Sequence, residues 1–173
     1  MRIAIDGCDG CGKTTLVDKL VKRFKLDKVT MTKEGWKDID SYLQKKDLNH
    51  IVSDRSFISE YVYSRVYDRD TKITEDVFNL LCRLYCDNDN PWLFFILTAD
   101  VDTIMSRVNK RGTDEEKKDE IARKRYCYDM AMRNNLDKYP TSIFVIDTSN
   151  KTEQEVFNEV CDLIKENCDD AYC

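Results

Sequence analysis

Near the amino terminus, a lysine and a threonine follow three closely spaced glycines. Gly7, Gly10 and Gly12 precede Lys13 and Thr14 in the order G-x-x-G-x-G-K-T. Glycines at this spacing let backbone N–H groups turn inward around an anion, because no Cβ stands in the way. A lysine in this place reaches the β- and γ-phosphates of a nucleotide, and the threonine hydroxyl holds Mg²⁺. The motif therefore predicts a nucleotide-binding loop.

The segments on either side of this loop have the patterns needed to position it. Residues 2–5 form a short apolar run typical of a strand. After the loop, Leu16, Leu20 and Phe24 recur at helical spacing, which predicts a helix over about 13–25. The amino terminus of that helix would point at the bound phosphates.

A second group of chemically suited residues follows the third predicted strand, at 50–53. Asp54 and Arg55 come directly after it. In a parallel sheet this strand end shares its edge with the glycine-rich loop, where ligands bind. Asp54 can organise Mg²⁺ there, and Arg55 can bind a second phosphate through its two-pronged guanidinium.

Cations flank a polar stretch at residues 112–119, which is the best candidate for a mobile loop. Phosphoryl transfer needs charge that neutralises the transferred group while water is excluded. At least one arginine of this set is expected to contact phosphate, and the pattern does not single it out. The basic residues are Arg107, Lys110 and Arg111 before the loop, and Arg123, Lys124 and Arg125 after it.

Strand and helix patterns alternate along the whole chain. The alternation predicts an α/β fold with a five-stranded parallel sheet and helices on both faces, in a single domain over 1–173. The predicted strands are 2–5, 28–32, 50–53, 92–98 and 142–147. The predicted helices are about 13–25, 37–46, 56–68, 74–87, 101–110, 118–136 and 152–167.

Composition narrows the choice of partners. The net charge of −5 argues against nucleic acid and membrane surfaces as partners. Eight cysteines without an export signal are expected to be reduced thiols, which predicts a cytoplasmic protein. Cys8 and Cys11 have C-x-x-C spacing, but they lie inside the glycine-rich loop and His50 is the only histidine. A zinc site is therefore not expected.

Several segments together resemble the thymidylate kinase family of P-loop nucleoside monophosphate kinases. The opening IAIDGCDGCGKTTLVDKL is similar to the family's first strand, loop and helix, with Asp6 in place of the usual glutamate. The likeness continues at TKEG (32–35), DRSFISEYVYS (54–64), SRVNKRG (106–112) and VIDTS (145–149). It implies a P-loop kinase fold with a short lid over about 111–125, and a homodimer.

The resemblance also implies the roles of individual residues. ATP would be held by the loop and by one arginine, namely by Gly7, Cys8, Asp9, Gly10, Cys11, Gly12, Lys13, Thr14, Thr15 and Arg107. Asp9 would approach the acceptor sugar, Arg55 would bind the acceptor phosphate, and Ser59 and Tyr63 would line the acceptor pocket. Because Gly10 stands where some members have an arginine, the catalytic cation would come from the lid, as Arg111, Arg123 or Arg125.

Two departures from the family pattern concern the acceptor base. The segment between Thr32 and Asp54 is short, so Trp36, Tyr42 or Phe57 is a candidate for stacking on the base. Glu60 stands where a small or amide side chain is usual, and a carboxylate only accepts hydrogen bonds. It would suit a base that presents an amine better than the carbonyl of thymine.

The leading interpretation is ATP- and Mg²⁺-dependent phosphoryl transfer to a deoxynucleoside monophosphate, thymidylate or another. A deoxynucleoside kinase is the alternative, in which Glu34 would act as base on a hydroxyl. A non-catalytic nucleotide-binding switch is a third reading. It is disfavoured because the segment 109–112, NKRG, lacks the final aspartate of the guanine-reading N-K-x-D motif.

Overall fold

The five strands in the described part of the chain form one parallel sheet. A computed structural model describes residues 1–30, 39–87, 90–112, 117–133 and 135–168, without the side chain of Arg111. The strands are β1 (Arg2–Gly7), β2 (Asp27–Thr30), β3 (Ile51–Asp54), β4 (Leu93–Thr98) and β5 (Ile143–Asp147). Their order across the sheet is β2-β3-β1-β4-β5.

Helices follow the strands in the predicted alternation. They are α1 (Lys13–Phe24), α2 (Ile39–Lys45), α3 (Phe57–Val66), α4 (Glu75–Cys86), α5 (Val101–Arg111), α6 (Lys118–Arg133) and α7 (Glu153–Asn167). The predicted fold class is confirmed, and the ends of the elements agree with the prediction to within a few residues. The end of the second predicted strand and the start of the second predicted helix lie partly at 31–38, outside the described residues.

The central strands are buried on both faces, as a parallel sheet covered by helices requires. In β4, the first five of the six residues are buried although their side chains alternate between the two faces. Helix α1 packs against α7, and α3 packs against α6. Strands β1 and β3 pair with each other in parallel, so their carboxyl ends lie at the same edge of the sheet. The glycine-rich loop after β1, from here on called the phosphate loop, and Asp54 at the end of β3 therefore share this edge.

An aromatic cluster fixes the helix that follows β3. The ring of Phe57, the first residue of α3, lies 5.2 Å from Tyr85, 5.5 Å from Phe94 and 5.8 Å from Phe78. All four side chains are buried. This packing holds α3 rigidly beside the carboxyl edge of the sheet.

Among the helices that the structure describes, none is both long and apolar enough to cross a membrane.

Candidate active site

The glycine-rich loop joins β1 to α1 and holds Lys13 inside it. Gly10 and Gly12 have positive φ angles of 79° and 90°, which glycine adopts without steric cost. Lys13 begins α1 and is 6% exposed, and its Nζ donates to the carbonyl of Cys8 at 2.7 Å. Burial is the main cause that lowers the pKa of the Lys13 ammonium, and the like charge of Arg55 adds to it. The loop is thus already shaped around its cation.

A cavity of about 300 Å³ opens on the outer side of this loop. Thr15 and Arg107 contribute to its wall, together with residues of the loop and of the segment after β5. The guanidinium of Arg107 is held by Thr148, with Nη1 2.9 Å from Oγ1 and Nη2 2.7 Å from the carbonyl oxygen. This cavity therefore has the loop at one end and an immobilised arginine on its wall, which suits a nucleotide.

A smaller and more polar cavity of about 130 Å³ lies on the inner side of the loop. Its wall includes Lys13, Thr14, Asp54 and Arg55. The Thr14 hydroxyl donates to Oδ2 of Asp54 at 3.3 Å. Hydroxyl and carboxylate oxygens are the donors that Mg²⁺ prefers, so these two residues fit the metal expected here.

Asp9 is the centre of a charge cluster in the wall of the small cavity. Its Oδ1 lies 2.5 Å from Nη2 of Arg55 and 3.4 Å from Nζ of Lys13. Its Oδ2 accepts from the Tyr63 hydroxyl at 2.8 Å and lies 3.5 Å from Nζ of Lys124. Burial by itself would raise the pKa of the Asp9 carboxyl, but these neighbours outweigh it and hold the pKa below its usual value.

The depressed pKa of Asp9 predicts how stability depends on pH. Because the carboxyl releases its proton more readily in the folded state, its stabilisation is complete above the unfolded-state pKa of about 4 and is lost as the pH falls through the lower folded-state value. In urea unfolding, Asp9→Asn should therefore cost the most free energy at neutral pH. The difference from wild type should shrink below about pH 4. A difference that stays constant with pH would contradict this account of the cluster.

Arg55 reaches this cluster through an unusual backbone conformation. Its φ angle is 78°, in the left-handed region that non-glycine residues seldom adopt. The Arg55 N–H donates to the carbonyl of Ile5 at 2.9 Å, and the Ser53 hydroxyl donates to the Arg55 carbonyl at 2.6 Å. Neighbouring strands thus hold the residue in a conformation that costs free energy, as is common at functional sites.

Asp6 holds the amino terminus of α3. Its carboxylate accepts from the N–H of Ser56 at 3.0 Å, from the N–H of Ser59 at 3.1 Å and from both serine hydroxyls. Burial raises the pKa of the Asp6 carboxyl, and the hydrogen bonds from Ser56 and Ser59 oppose that rise. Ser59, expected in the acceptor pocket, is only 3% exposed. Its hydroxyl also lies 2.9 Å from the hydroxyl of Tyr128, and Ser59 lines neither of the two cavities described above.

Other proposed acceptor residues lie along α3. Tyr63 faces Asp9 as described, and its ring stands 4.8 Å from the Arg55 guanidinium. Glu60 accepts from Nη2 of Arg69 at 3.3 Å, one turn before Tyr63 on the same helix. Tyr42 and Phe57, the other two candidates for stacking on the base, are buried in the core with their rings packed against each other, so the expectation is wrong for them. Glu34 and Trp36 lie outside the described residues.

The three arginines expected to supply the lid cation are not brought together at the loop by the described contacts. The side chain of Arg111 is outside the described part of the structure. Arg123 is exposed on α6. Arg125 is half-buried, and its Nε is the buried side-chain nitrogen without a hydrogen-bond partner among the described residues. Its charge helps to lower the pKa of Asp147, which lies at the end of β5.

The residue that the sequence interpretation missed is Lys124. It lies between Arg123 and Arg125, and the sequence pattern predicts only that all three are cations that flank the polar stretch at 112–119. In the structure it is fully buried, and its Nζ lies beside Asp9. One signal was available: Ile121, Lys124 and Tyr128 have helical spacing, so a single lysine interrupts an apolar stripe.

Comparisons with known proteins show what the chain is similar to. The sequence model described as Thymidylate kinase matches residues 32–160. A protein of Methanococcus maripaludis named probable thymidylate kinase is 29% identical over 197 residues, covering 94% of each chain. The YorR protein of Bacillus subtilis, solved with phosphorylated GDP, has a TM-score of 0.79 and 19% identity, covering 95% of this chain and 96% of that one. Deoxyadenosine kinase from M. mycoides with bound dCTP has a TM-score of 0.67 and 18% identity, covering 96% and 100%.

The solved structures support the P-loop kinase fold. Their sequences are too distant from this chain to show more than the fold. The family match extends over most of the chain, from residue 32 to residue 160. It confirms the resemblance found in the sequence and makes the protein a phosphotransferase of the nucleoside monophosphate kinase class. The chain belongs to the thymidylate kinase family.

Proposed function

We propose that the protein transfers the γ-phosphoryl group of ATP to a deoxynucleoside monophosphate, with Mg²⁺, giving a deoxynucleoside diphosphate and ADP. Thymidylate and other deoxynucleoside monophosphates are the candidate acceptors. The acceptor phosphate oxygen forms a bond to the γ-phosphorus while the bond from that phosphorus to the bridging oxygen of ADP breaks. Catalysis of this kind relies on positioning and on charge neutralisation rather than on a covalent enzyme intermediate.

The observation that carries the proposal is a second cation, Arg55, next to the phosphate loop. Arg55 and Lys13 line the same cavity of about 130 Å³. Both contact one carboxylate oxygen of Asp9, so the two cations are close enough to bind neighbouring phosphates. A nucleoside monophosphate supplies such a second phosphate, whereas a nucleoside does not.

Each side chain then has a role that its position supports. Lys13 would bind the β- and γ-phosphates of ATP, and Arg55 would bind the acceptor phosphate. Thr14 and Asp54 would hold Mg²⁺, which neutralises phosphate charge when it is bound. Asp9 would accept a hydrogen bond from the acceptor sugar. For the catalytic lid cation, Arg111, Arg123 and Arg125 all remain candidates.

A deoxynucleoside kinase is the second candidate. The segment between Thr32 and Asp54 favours it, because this segment is shorter than is usual in the thymidylate kinase family. In that reaction a carboxylate would accept the proton of the sugar hydroxyl, a role proposed for Glu34. The Arg55 guanidinium would then have no acceptor phosphate to bind.

A direct test measures ADP release with ATP and Mg²⁺ across dTMP, dAMP, dCMP, dGMP and the four matching deoxynucleosides. We expect turnover with at least one monophosphate and none with the nucleosides. The Lys13→Met variant, purified in parallel, controls for contaminating kinases of the expression host. Turnover confined to deoxynucleosides would reject the proposal in favour of the second candidate.

We further infer that the chain acts as a single kinase domain with a lid over about 111–125, in the cytoplasm and as a homodimer. The seven cysteines that the structure describes are all free thiols, which agrees with a reducing compartment. The homodimer rests on the family relationship.

A further inference from the structure

Helix α6 carries a lysine where an apolar side chain would be expected. Lys124 has 0% exposure, although its neighbours on the buried face of the helix are Ile121 and Tyr128. A buried ammonium loses its hydration, and that loss is costly unless opposite charges surround it. If the side chain at this position only filled space, an apolar residue would do so at a lower cost in free energy. The charge of Lys124 therefore calls for a functional explanation.

The ammonium of Lys124 lies beside Asp9, which lines the small cavity. Nζ lies 3.2 Å from Oε1 of Glu120, one turn earlier on α6, and 3.5 Å from Oδ2 of Asp9. The rings of Tyr63 and Tyr67 lie 5.2 Å and 5.4 Å from it, at distances that suit cation–π attraction. The Tyr67 hydroxyl donates to the same oxygen of Glu120 and keeps that carboxylate in place.

The carboxylate of Asp9 occupies the position where these cations converge. It is 32% exposed and forms part of the wall of the small cavity, whereas Lys124 lies immediately behind it. Lys13 and Arg55 are next to one of its oxygens, and Lys124 is next to the other. One carboxylate is therefore shared by three cations. A phosphate dianion offers more charge and more acceptor oxygens to the same cations.

We propose that Lys124 binds the phosphate of the acceptor nucleotide, and that Asp9 serves as its counter-ion in the free enzyme. When the acceptor enters, the ammonium of Lys124 exchanges an oxygen of Asp9 for one of phosphate, and Asp9 becomes free to bind the sugar. The inference rests on the proposed function, since a nucleoside acceptor brings no phosphate. It assigns a phosphate-binding role to a residue of α6 in addition to Arg55.

The test compares Lys124→Met with wild type by calorimetric titration of the best deoxynucleoside monophosphate in the absence of ATP. Methionine keeps the unbranched stem and removes the charge. We expect the dissociation constant to rise at least about tenfold, as for the loss of a hydrogen bond to a charged group. The constants for ATP and for the matching deoxynucleoside should change less than about twofold. Lys124→Arg, which keeps the charge, should recover part of the affinity.

The matched control is Lys118→Met, on the same helix, where the side chain is 64% exposed and pairs with the exposed Asp102. It should bind the monophosphate like wild type. Thermal melting of each variant separates loss of fold from loss of affinity. A folded Lys124→Met variant with wild-type affinity for the monophosphate would overturn the assignment.

A second variant keeps the inference testable if Lys124→Met does not fold. Glu120→Gln removes the carboxylate that competes with phosphate for Lys124, and its side chain is 31% exposed. We expect it to bind the monophosphate several-fold more tightly than wild type. Asp119→Asn, an exposed neighbour on α6, controls for the general loss of a negative charge and should leave the affinity unchanged. Equal affinities in both variants and wild type would reject the role of Lys124.

Failure of this inference is distinguishable from failure of the proposed function. If wild type phosphorylates a deoxynucleoside monophosphate but Lys124→Met binds it normally, only the role of Lys124 is wrong. If wild type phosphorylates deoxynucleosides alone, the proposed function is wrong and the role of Lys124 is rejected with it.

Discussion

Lys13→Met is expected to lower kcat by about a thousandfold while the protein stays folded. The ammonium of Lys13 lies inside the phosphate loop, 2.7 Å from the Cys8 carbonyl, where it can neutralise charge on the transferred phosphoryl group. Removing one such preorganised group from an active site costs about 10²–10³ in kcat, and cations at a transferred phosphate cost as much or more. Steady-state kinetics with ATP and the best acceptor measure the loss.

Methionine is the suitable replacement because Lys13 is buried and its stem packs in the loop. The matched control is Lys22→Met, an exposed lysine on the same helix, which should keep wild-type kcat. Circular dichroism and thermal melting establish that both variants fold. If Lys13→Met retained wild-type turnover, the assignment of the donor phosphate site would be wrong.

The largest effect on stability is expected from Gly7→Ala. Gly7 ends β1 with a φ of +130°, and a Cβ on it would overlap the carbonyl oxygen of Leu97 on the neighbouring strand β4. That oxygen belongs to the backbone of a central strand and cannot rotate away as a side chain can. Overpacking and backbone strain each cost about 1–3 kcal/mol, so a loss of about 3–5 kcal/mol is expected. Urea unfolding measures it.

Gly112→Ala is the control for this substitution, because Gly112 also has a positive φ, of 64°. A Cβ on Gly112 would meet no atom within 4 Å among the described residues. Only the conformational cost of about 1–2 kcal/mol remains there. If both variants lost the same free energy of unfolding, the overlap with Leu97 would not be the cause.

The phosphate loop and the α/β fold could be predicted because their signals are local. Gly10, Gly12 and Lys13 are close in sequence, and the apolar residues at helical spacing after them predict the helix α1. The alternation of strands and helices was likewise readable segment by segment. The order β2-β3-β1-β4-β5 is a different kind of information, because it depends on which distant strands pair.

The acceptor side was harder to predict because it depends on how two helices are rotated against each other. The family resemblance implies that Ser59 lines the acceptor pocket, but the residue is buried and its hydroxyl donates to Asp6, far away in the sequence. For Lys124, the charged neighbours Arg123 and Arg125 predict an exposed side chain, whereas the packing of α6 on α3 buries it. The spacing of Ile121 and Tyr128 is a local sign that Lys124 is buried, but Asp6 and Asp9, which Ser59 and Lys124 contact, are distant from them in the sequence.

The hydrogen bonds from the start of α3 to Asp6 have a consequence for how the enzyme aligns its two substrates. Strand β1 runs directly into the loop that would hold the phosphates of the donor, and Asp6 on that same strand holds the start of the helix that carries Tyr63. The backbone of Ile5, one residue earlier, accepts from Arg55. The proposed donor and acceptor sites are thus both held by neighbouring residues of a single strand. If the two substrates bind as proposed, this one strand sets both ends of the distance between the attacking oxygen and the γ-phosphorus, within a few residues of one another.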